Sequence, residues 1–182
     1  MNGVFVTGSN TGVGKTTVSV EIIKQLRKKR IVVVRKPVET DCELVDGCYF
    51  PKDAVKLNEA CGSGESLSQV CPYCFELEAS PEEASLDAGK FLGLEDLVYA
   101  CNDGVGENFV FVEGAGGFYS PIADKALNSD LAVQLELPVI IIVKDELGAI
   151  SQALLTIDAV LSKKLKIAFV VLNEVRENTL SN

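Results

Sequence analysis

The sequence predicts an α/β fold: a single domain whose mostly parallel sheet carries helices on both faces. Three observations carry that reading. Short apolar runs recur at residues 3–7 (GVFVT), 31–34 (IVVV), 109–112 (FVFV), 139–143 (VIIIV) and 167–172 (IAFVVL). Segments with apolar residues at helical spacing lie between them, and that alternation implies a parallel sheet with right-handed crossovers. The later runs are uniformly apolar rather than alternating, as strands covered on both faces are.

Taken in order, residues 3–7 form a short buried strand. Residues 15–29 follow as a helix, with Val18, Ile22, Ile23 and Leu26 on one stripe. The basic run Arg27, Lys28, Lys29, Arg30 ends that helix, where cations complement its dipole; it reads as a solvated terminus and not as a binding patch. After the strand at 139–143, residues 149–161 carry Ile150, Leu154, Ile157 and Leu161 as the apolar stripe of a second helix. No linker, low-complexity block or repeat divides the 182 residues, so one domain spanning 1–182 is expected.

Composition removes several functions. Histidine is absent, which excludes His-based triads, His metal sites and His general bases together. A net charge of −9 disfavours nucleic-acid binding. No apolar run approaches the ~20 residues of a membrane span, and the start MNGVFVTG lacks a basic n-region, so a cytoplasmic protein is expected. The six cysteines are read as reduced thiols. Cys71 and Cys74 form a lone CxxC, and a zinc site there would need two more ligands, such as Cys42 and Cys48, brought in by a loop.

In parallel sheets, ligands sit at the carboxyl ends of the strands. The first such loop is GSNTGVGKTT, residues 8–17, between a strand and an amphipathic helix. Glycines let backbone N–H groups curl around phosphate oxygens at the helix N-terminus. Lys15 then reaches the β/γ-phosphates and the Thr16 hydroxyl binds Mg²⁺. The strict pattern wants glycine at position 9, where Ser9 stands, with Gly8 one place early. After the second strand, Lys36, Pro37, Val38, Glu39 and Thr40 aim a second lysine at the same edge. The third run leads into Glu113, Gly114, Ala115, Gly116 and Gly117, placing a carboxylate where a Mg²⁺ site beside such a loop needs one. Asp53 offers another carboxylate.

These motifs, in this order from about Val4 to Val175, resemble those of the dethiobiotin synthetases. GSNTGVGKTT is similar to the family's G-T-D-T-x-V-G-K-T, residues 36–40 to K-P-V-x-[ST], Asp53-Ala54 to D-A, Pro72-Tyr73-x-Phe75 to P-Y-x-F, and residues 112–117 to V-E-G-A-G-G. Leu147-Gly148-x-Ile150 and Asn173 match two later positions. The resemblance implies a P-loop NTPase fold, a homodimer with active sites at the interface, and the substrates 7,8-diaminopelargonate, CO₂ and MgATP. One amine becomes a carbamate, ATP phosphorylates it, and the other amine closes the ring. The implied Mg²⁺ ligands are Thr16, Asp53 and Glu113; the implied catalytic lysines are Lys15 and Lys36. Nucleotide binding falls to Asn10, Thr11, Gly12, Val13, Gly14, Lys15, Thr16, Thr17, Glu113, Gly114, Ala115, Gly116 and Asn173, the last reading adenine. Substrate binding falls to Thr11, Lys36, Thr40, Gly117, Leu147, Gly148 and Ile150, with the segment opening the last helix meeting the substrate carboxylate from the partner subunit.

The sequence departs from the family at Asn10 and Gly12 in the loop, at Glu82, at Asp145-Glu146, and at Ser151-Gln152. It is also expected to be shorter at the C-terminus than the family, which predicts weak selection among nucleotide bases. Alternatives are a non-catalytic regulatory nucleotide-binding paralogue and a partition-type ATPase, the latter needing a lysine where Asn10 stands. A cobyrinate-type amidation domain would need a histidine. The sequence predicts that Lys15→Ala and Glu113→Ala remove turnover and leave the fold intact.

Overall fold

The computed structural model describes residues 1–174, so Val175, where the family resemblance ends, lies outside the described residues. The chain opens with β1 (Gly3–Gly8), α1 (Lys15–Leu26) and β2 (Val32–Arg35). Short pieces follow: β3 (Val38–Glu39), the hairpin β4 (Glu43–Val45) and β5 (Cys48–Phe50), α2 (Lys52–Cys61), α3 (Leu67–Val70) and β6 (Tyr73–Cys74). Next come α4 (Pro81–Asp87), α5 (Leu94–Asn102), β7 (Phe109–Gly117), β8 (Pro121–Ala123), β9 (Ala126–Leu127) and α6 (Asn128–Leu135). The described chain closes with β10 (Val139–Lys144), α7 (Ala149–Ser162) and β11 (Ile167–Asn173).

Five strands form one sheet in the order β11-β10-β1-β7-β2, every pairing parallel. Side chains alternate across it. Val6, Val32, Val34, Phe111, Ile140 and Ile142 face α1 and α2. Phe5, Val33, Val110, Val112, Ile141 and Val143 face α5, α6 and α7. The sheet is therefore covered on both faces, as expected from the uniform runs. No helix among the described residues is long and apolar enough to cross a membrane.

Three boundaries move. The first helix ends at Leu26, where Lys29 N–H turns back to the Leu26 carbonyl at 2.9 Å. Arg27 leaves the axis to donate to the Ala60 carbonyl at 2.8 Å, and Arg30 lies over the Phe109 ring at 4.8 Å, so the basic run is spent partly on packing. The second strand starts at Val32 with Ile31 left exposed, and it ends on the fully buried Arg35, which pairs with Glu65 at 2.9 Å. The third long strand continues through its glycines to Gly117, because Gly117 pairs with Gly8 across a register shift.

The last two elements differ more. Strand β11 sits at the sheet edge, and Phe169, Val170 and Leu172 stay exposed. The apolar stripe assigned to α7 also points largely away from the sheet: Ile150, Leu154 and Leu161 are exposed, with Leu155 beside them. The residues that pack on the core are Ala149 and Val160, with Ala153 and Ile157 partly buried beside them, so of the stripe Ile157 alone turns inward.

Candidate functional site

The loop between β1 and α1 is set by two glycines. Gly14 caps α1 at φ 85°, and Gly12 stands at φ 74°. Both lie in the left-handed region where a side chain adds strain. Gly8 is constrained by space instead, since a Cβ there would lie 2.6 Å from the Asn10 carbonyl. The Asn10 carboxamide accepts the Thr11 N–H at 2.8 Å, a local turn that an aspartate would make equally.

Behind the loop lies a buried polar knot. Glu113 has no exposed surface. Its Oε1 accepts from the Thr16 hydroxyl at 2.8 Å and from the Lys36 ammonium at 3.1 Å, and its Oε2 accepts from the Ser19 hydroxyl at 2.6 Å. Lys36 also donates to the Gly114 carbonyl at 3.1 Å. Burial alone would depress the Lys36 pKa, but Glu113, Asp53 and Glu39 outweigh it and hold that ammonium above its ordinary value. Lys15 fares differently: burial first, and then the charge of Lys36, bring it down to about 8, with Glu113 and Asp53 pulling the other way.

Asp53 opens α2, in its first turn, and Glu39 accepts both the Asp53 N–H at 2.8 Å and the Ala54 N–H at 2.9 Å. Asn128, fully buried, holds the glycine-rich end of β7: its Oδ1 accepts from Ala115 N–H at 3.1 Å, and its Nδ2 donates to the Ala115 carbonyl. A Cβ on Gly114 would collide with that Asn128 oxygen at 2.4 Å, so glycine there is a packing requirement.

The result is a cavity of about 270 Å³ lined by Thr11, Gly12, Gly14, Lys15, Thr16, Thr17, Lys36, Glu39, Thr40, Asp53, Ala115 and Gly116 among others. The structure thus brings together most of the residues expected at a phosphate and substrate site. Thr16 and Asp53 line the cavity with hard oxygen donors, and Glu113 stands behind Thr16, bonded to its hydroxyl, so the donor chemistry fits Mg²⁺. Asn10 and Gly117 line a neighbouring cavity instead. Val13 is buried beneath the loop, and its carbonyl accepts from Asn173 Nδ2 at 2.9 Å. Asn173 sits with Thr17, Val18, Ile22, Phe169 and Val171 along an apolar groove beside α1. Leu147 and Ile150 are exposed, and Gly148 caps α7 at φ 97°, so these three do not line this cavity.

The sequence assigns no role to Ser19, Glu39, Asn128 or Gln152. Gln152 Oε1 accepts from the Ser9 hydroxyl at 3.1 Å, so two unusual residues, one in the loop and one in α7, are partners. The acidic Glu146 likewise has a counter-charge, Lys144 at 2.8 Å. Of the cysteines, Cys71 and Cys74 lie 3.7 Å apart at sulfur, and Cys48 is exposed on the hairpin.

A family model described as an AAA domain matches residues 2–181. The ATP-dependent dethiobiotin synthetase BioD of Ruthia magnifica subsp. Calyptogena magnifica is 48% identical over 182 residues, covering 100% of this chain and 84% of its own. The one from Anaeromyxobacter dehalogenans (strain 2CP-C) is 35% identical, covering 95% of this chain and 77% of its own. Among solved structures, a ParA family ATPase from Chlorobium tepidum TLS superposes with a TM-score of 0.53 at 12% identity, covering 100% of this chain and 77% of that one, which shows the shared fold alone. With relatives this similar along the full length, and their motifs gathered at one sheet edge, the chain belongs to the ATP-dependent dethiobiotin synthetase family.

Proposed function

We propose that this protein carboxylates 7,8-diaminopelargonate with CO₂ and closes the ring to dethiobiotin, using ATP and releasing ADP and phosphate. The observation that carries this reading is the convergence of Lys15, Lys36, Thr40 and Asp53 on one cavity with Glu113 directly behind it. One amine attacks CO₂, giving a carbamate and a proton. A carbamate oxygen attacks the γ-phosphorus, releasing ADP. The second amine then attacks the carbonyl of the mixed anhydride and expels phosphate.

The chain's part is to hold anionic oxygens in place. The N–H groups at the start of α1 and the Lys15 ammonium cradle the triphosphate. Lys36, kept fully protonated by its carboxylate neighbours, faces the carbamate with Thr40 beside it. Thr16, Asp53 and Glu113 would hold Mg²⁺, which neutralises charge on the phosphates when bound. In the groove beside α1, Asn173 has its Nδ2 committed to Val13, so its Oδ1 is the end offered to the amino group of adenine. No histidine is required, because the nucleophiles come from the substrate.

The test is a product assay with diaminopelargonate, bicarbonate and MgATP, read by mass spectrometry. Phosphate is expected only when diamine and bicarbonate are both present. Lys36→Ala is expected to lower kcat by ~10²–10³ while changing the KM for ATP only a few-fold. A variant impaired in ATP affinity alone would refute the role given to Lys36.

The exposed apolar face of α7 supports a homodimer. Leu147, just before α7, and Ile150, Leu154 and Leu155 on it are all exposed, an apolar face for a second copy to cover, and Leu147, Gly148 and Ile150 then serve the partner's site. Leu154→Asp is expected to sediment as a monomer and to lose at least ~10-fold in turnover, since one buried unpaired carboxylate outweighs what that leucine contributes. A monomeric variant of normal turnover would remove the shared site.

A further inference from the structure

Glu39 occupies the variable position of the Lys36–Thr40 turn, where the motif specifies no residue type. Its side chain is nevertheless one of the most constrained near the cavity. The residue is 7% exposed, and each carboxylate oxygen accepts a different backbone N–H from the first turn of α2, Asp53 at 2.8 Å and Ala54 at 2.9 Å. Those are two of the four N–H groups that a helix start leaves without partners. The residue at the N-cap of α2 is Pro51, which makes no side-chain cap bond. A helix that would ordinarily be capped from its own preceding residue is capped from another element, across the exposed β4–β5 hairpin.

The other end of this link is anchored by main chain. Glu39 lies in β3, which pairs in parallel with β6, and its carbonyl accepts the Phe75 N–H at 3.0 Å. Lys36, three residues earlier, is fixed to Glu113 and to the Gly114 carbonyl. The carboxylate of Glu39 thus bridges the segment carrying the second lysine and the helix turn carrying Asp53.

We propose that Glu39 is a positioning residue: a two-pronged carboxylate clamp that seats the first turn of α2 on β3 and so holds Asp53 over the phosphate cavity. This rests on the reading of Asp53 as a metal ligand. A local cap would satisfy the same N–H groups but would leave the helix free to shift along β3. The clamp specifies both the start of the helix and its distance from Lys36.

The experiment measures Mn²⁺ binding to the full chain in the presence of ADP, by electron paramagnetic resonance, beside urea unfolding. Asp53→Asn is expected to weaken Mn²⁺ binding at least ~10-fold, and Glu39→Ala to weaken it by ~10-fold as well, the range seen for residues that orient a metal ligand. Glu39→Gln, which keeps the shape and one accepting oxygen, should fall between wild type and Glu39→Ala. The double variant Glu39→Ala/Pro51→Ser supplies a local cap for the same N–H groups. It should regain the unfolding midpoint while Mn²⁺ binding stays weak. Recovery of both would reduce Glu39 to a cap and overturn the proposal. Normal Mn²⁺ binding in Glu39→Ala with weak binding in Asp53→Asn would overturn it alone; normal binding in Asp53→Asn would remove the metal role and the proposal together.

Discussion

Glu113→Ala is expected to cost about 3–5 kcal/mol of folding stability in addition to silencing turnover, because it strips a buried ammonium of its counter-charge. Lys36 is 4% exposed and Glu113 not at all, and the same substitution leaves the Thr16 and Ser19 hydroxyls without their acceptor. The sequence alone predicts an intact fold for this variant, treating the carboxylate as a loop group acting only on bound charge. Its place inside β7 changes that expectation. Chemical unfolding of wild type, Glu113→Ala and Lys36→Met/Glu113→Ala gives the test. The double variant should be more stable than Glu113→Ala, since removing both charges leaves neither one stranded. A single variant within 1 kcal/mol of wild type, roughly the effect of a surface substitution, would mean that the pair is not buried as described.

Lys15→Met is expected to act in the opposite sense on stability while still removing ~10²–10³ of the rate. Lys15 is buried beside Lys36, and its pKa falls from 10.5 to about 8. The folded protein therefore binds its proton less tightly than the unfolded chain does. Between about pH 8 and pH 10.5 the unfolded chain carries more protons, so Lys15 makes stability rise with pH across that window and is unfavourable below it. The methionine variant should be more stable than wild type at pH 7, and the gap should close towards pH 10.5. Phosphate binding restores the value of the charge, so ATP binding at pH 8.5 should take up a proton, measurable by calorimetry in buffers of different ionisation enthalpy. A variant less stable than the wild type at pH 7 would show that the lysine contributes by packing and not through its charge.

How far the sequence discloses this site depends on how local each cue is. The phosphate loop, Lys36 and Glu113 are legible because each lies within two residues of the end of an apolar run, and a parallel sheet gathers those ends at one edge. Ser19, Glu39 and Gln152 are not legible, because their roles are defined by Glu113, by the first turn of α2 and by Ser9. A serine inside a helix has no local mark that distinguishes a surface hydroxyl from one donating to a buried carboxylate. The stripe on α7 illustrates a second limit. Periodicity shows that Ile150, Leu154 and Leu161 share a face, but not whether that face meets the sheet or another surface. The inner side is taken by Ala149 and Val160, with Ala153 and Ile157 partly buried beside them.

The strand order also has a consequence for how the chain is made. β1 precedes every other described strand in the chain and is the central strand of the finished sheet, with hydrogen-bonded neighbours at residues 110–117 and 139–142. Its amide groups and the side chains of Phe5 and Val6 therefore have no sheet partners until residues 110–142 have been made. At translation speeds of ~5–20 residues per second, that wait lasts on the order of ten seconds. β1 cannot enter this sheet before the later strands β7 and β10 are made. The nascent segment is instead a hydrophobic strand awaiting its neighbours, the kind of species that holding chaperones recognise.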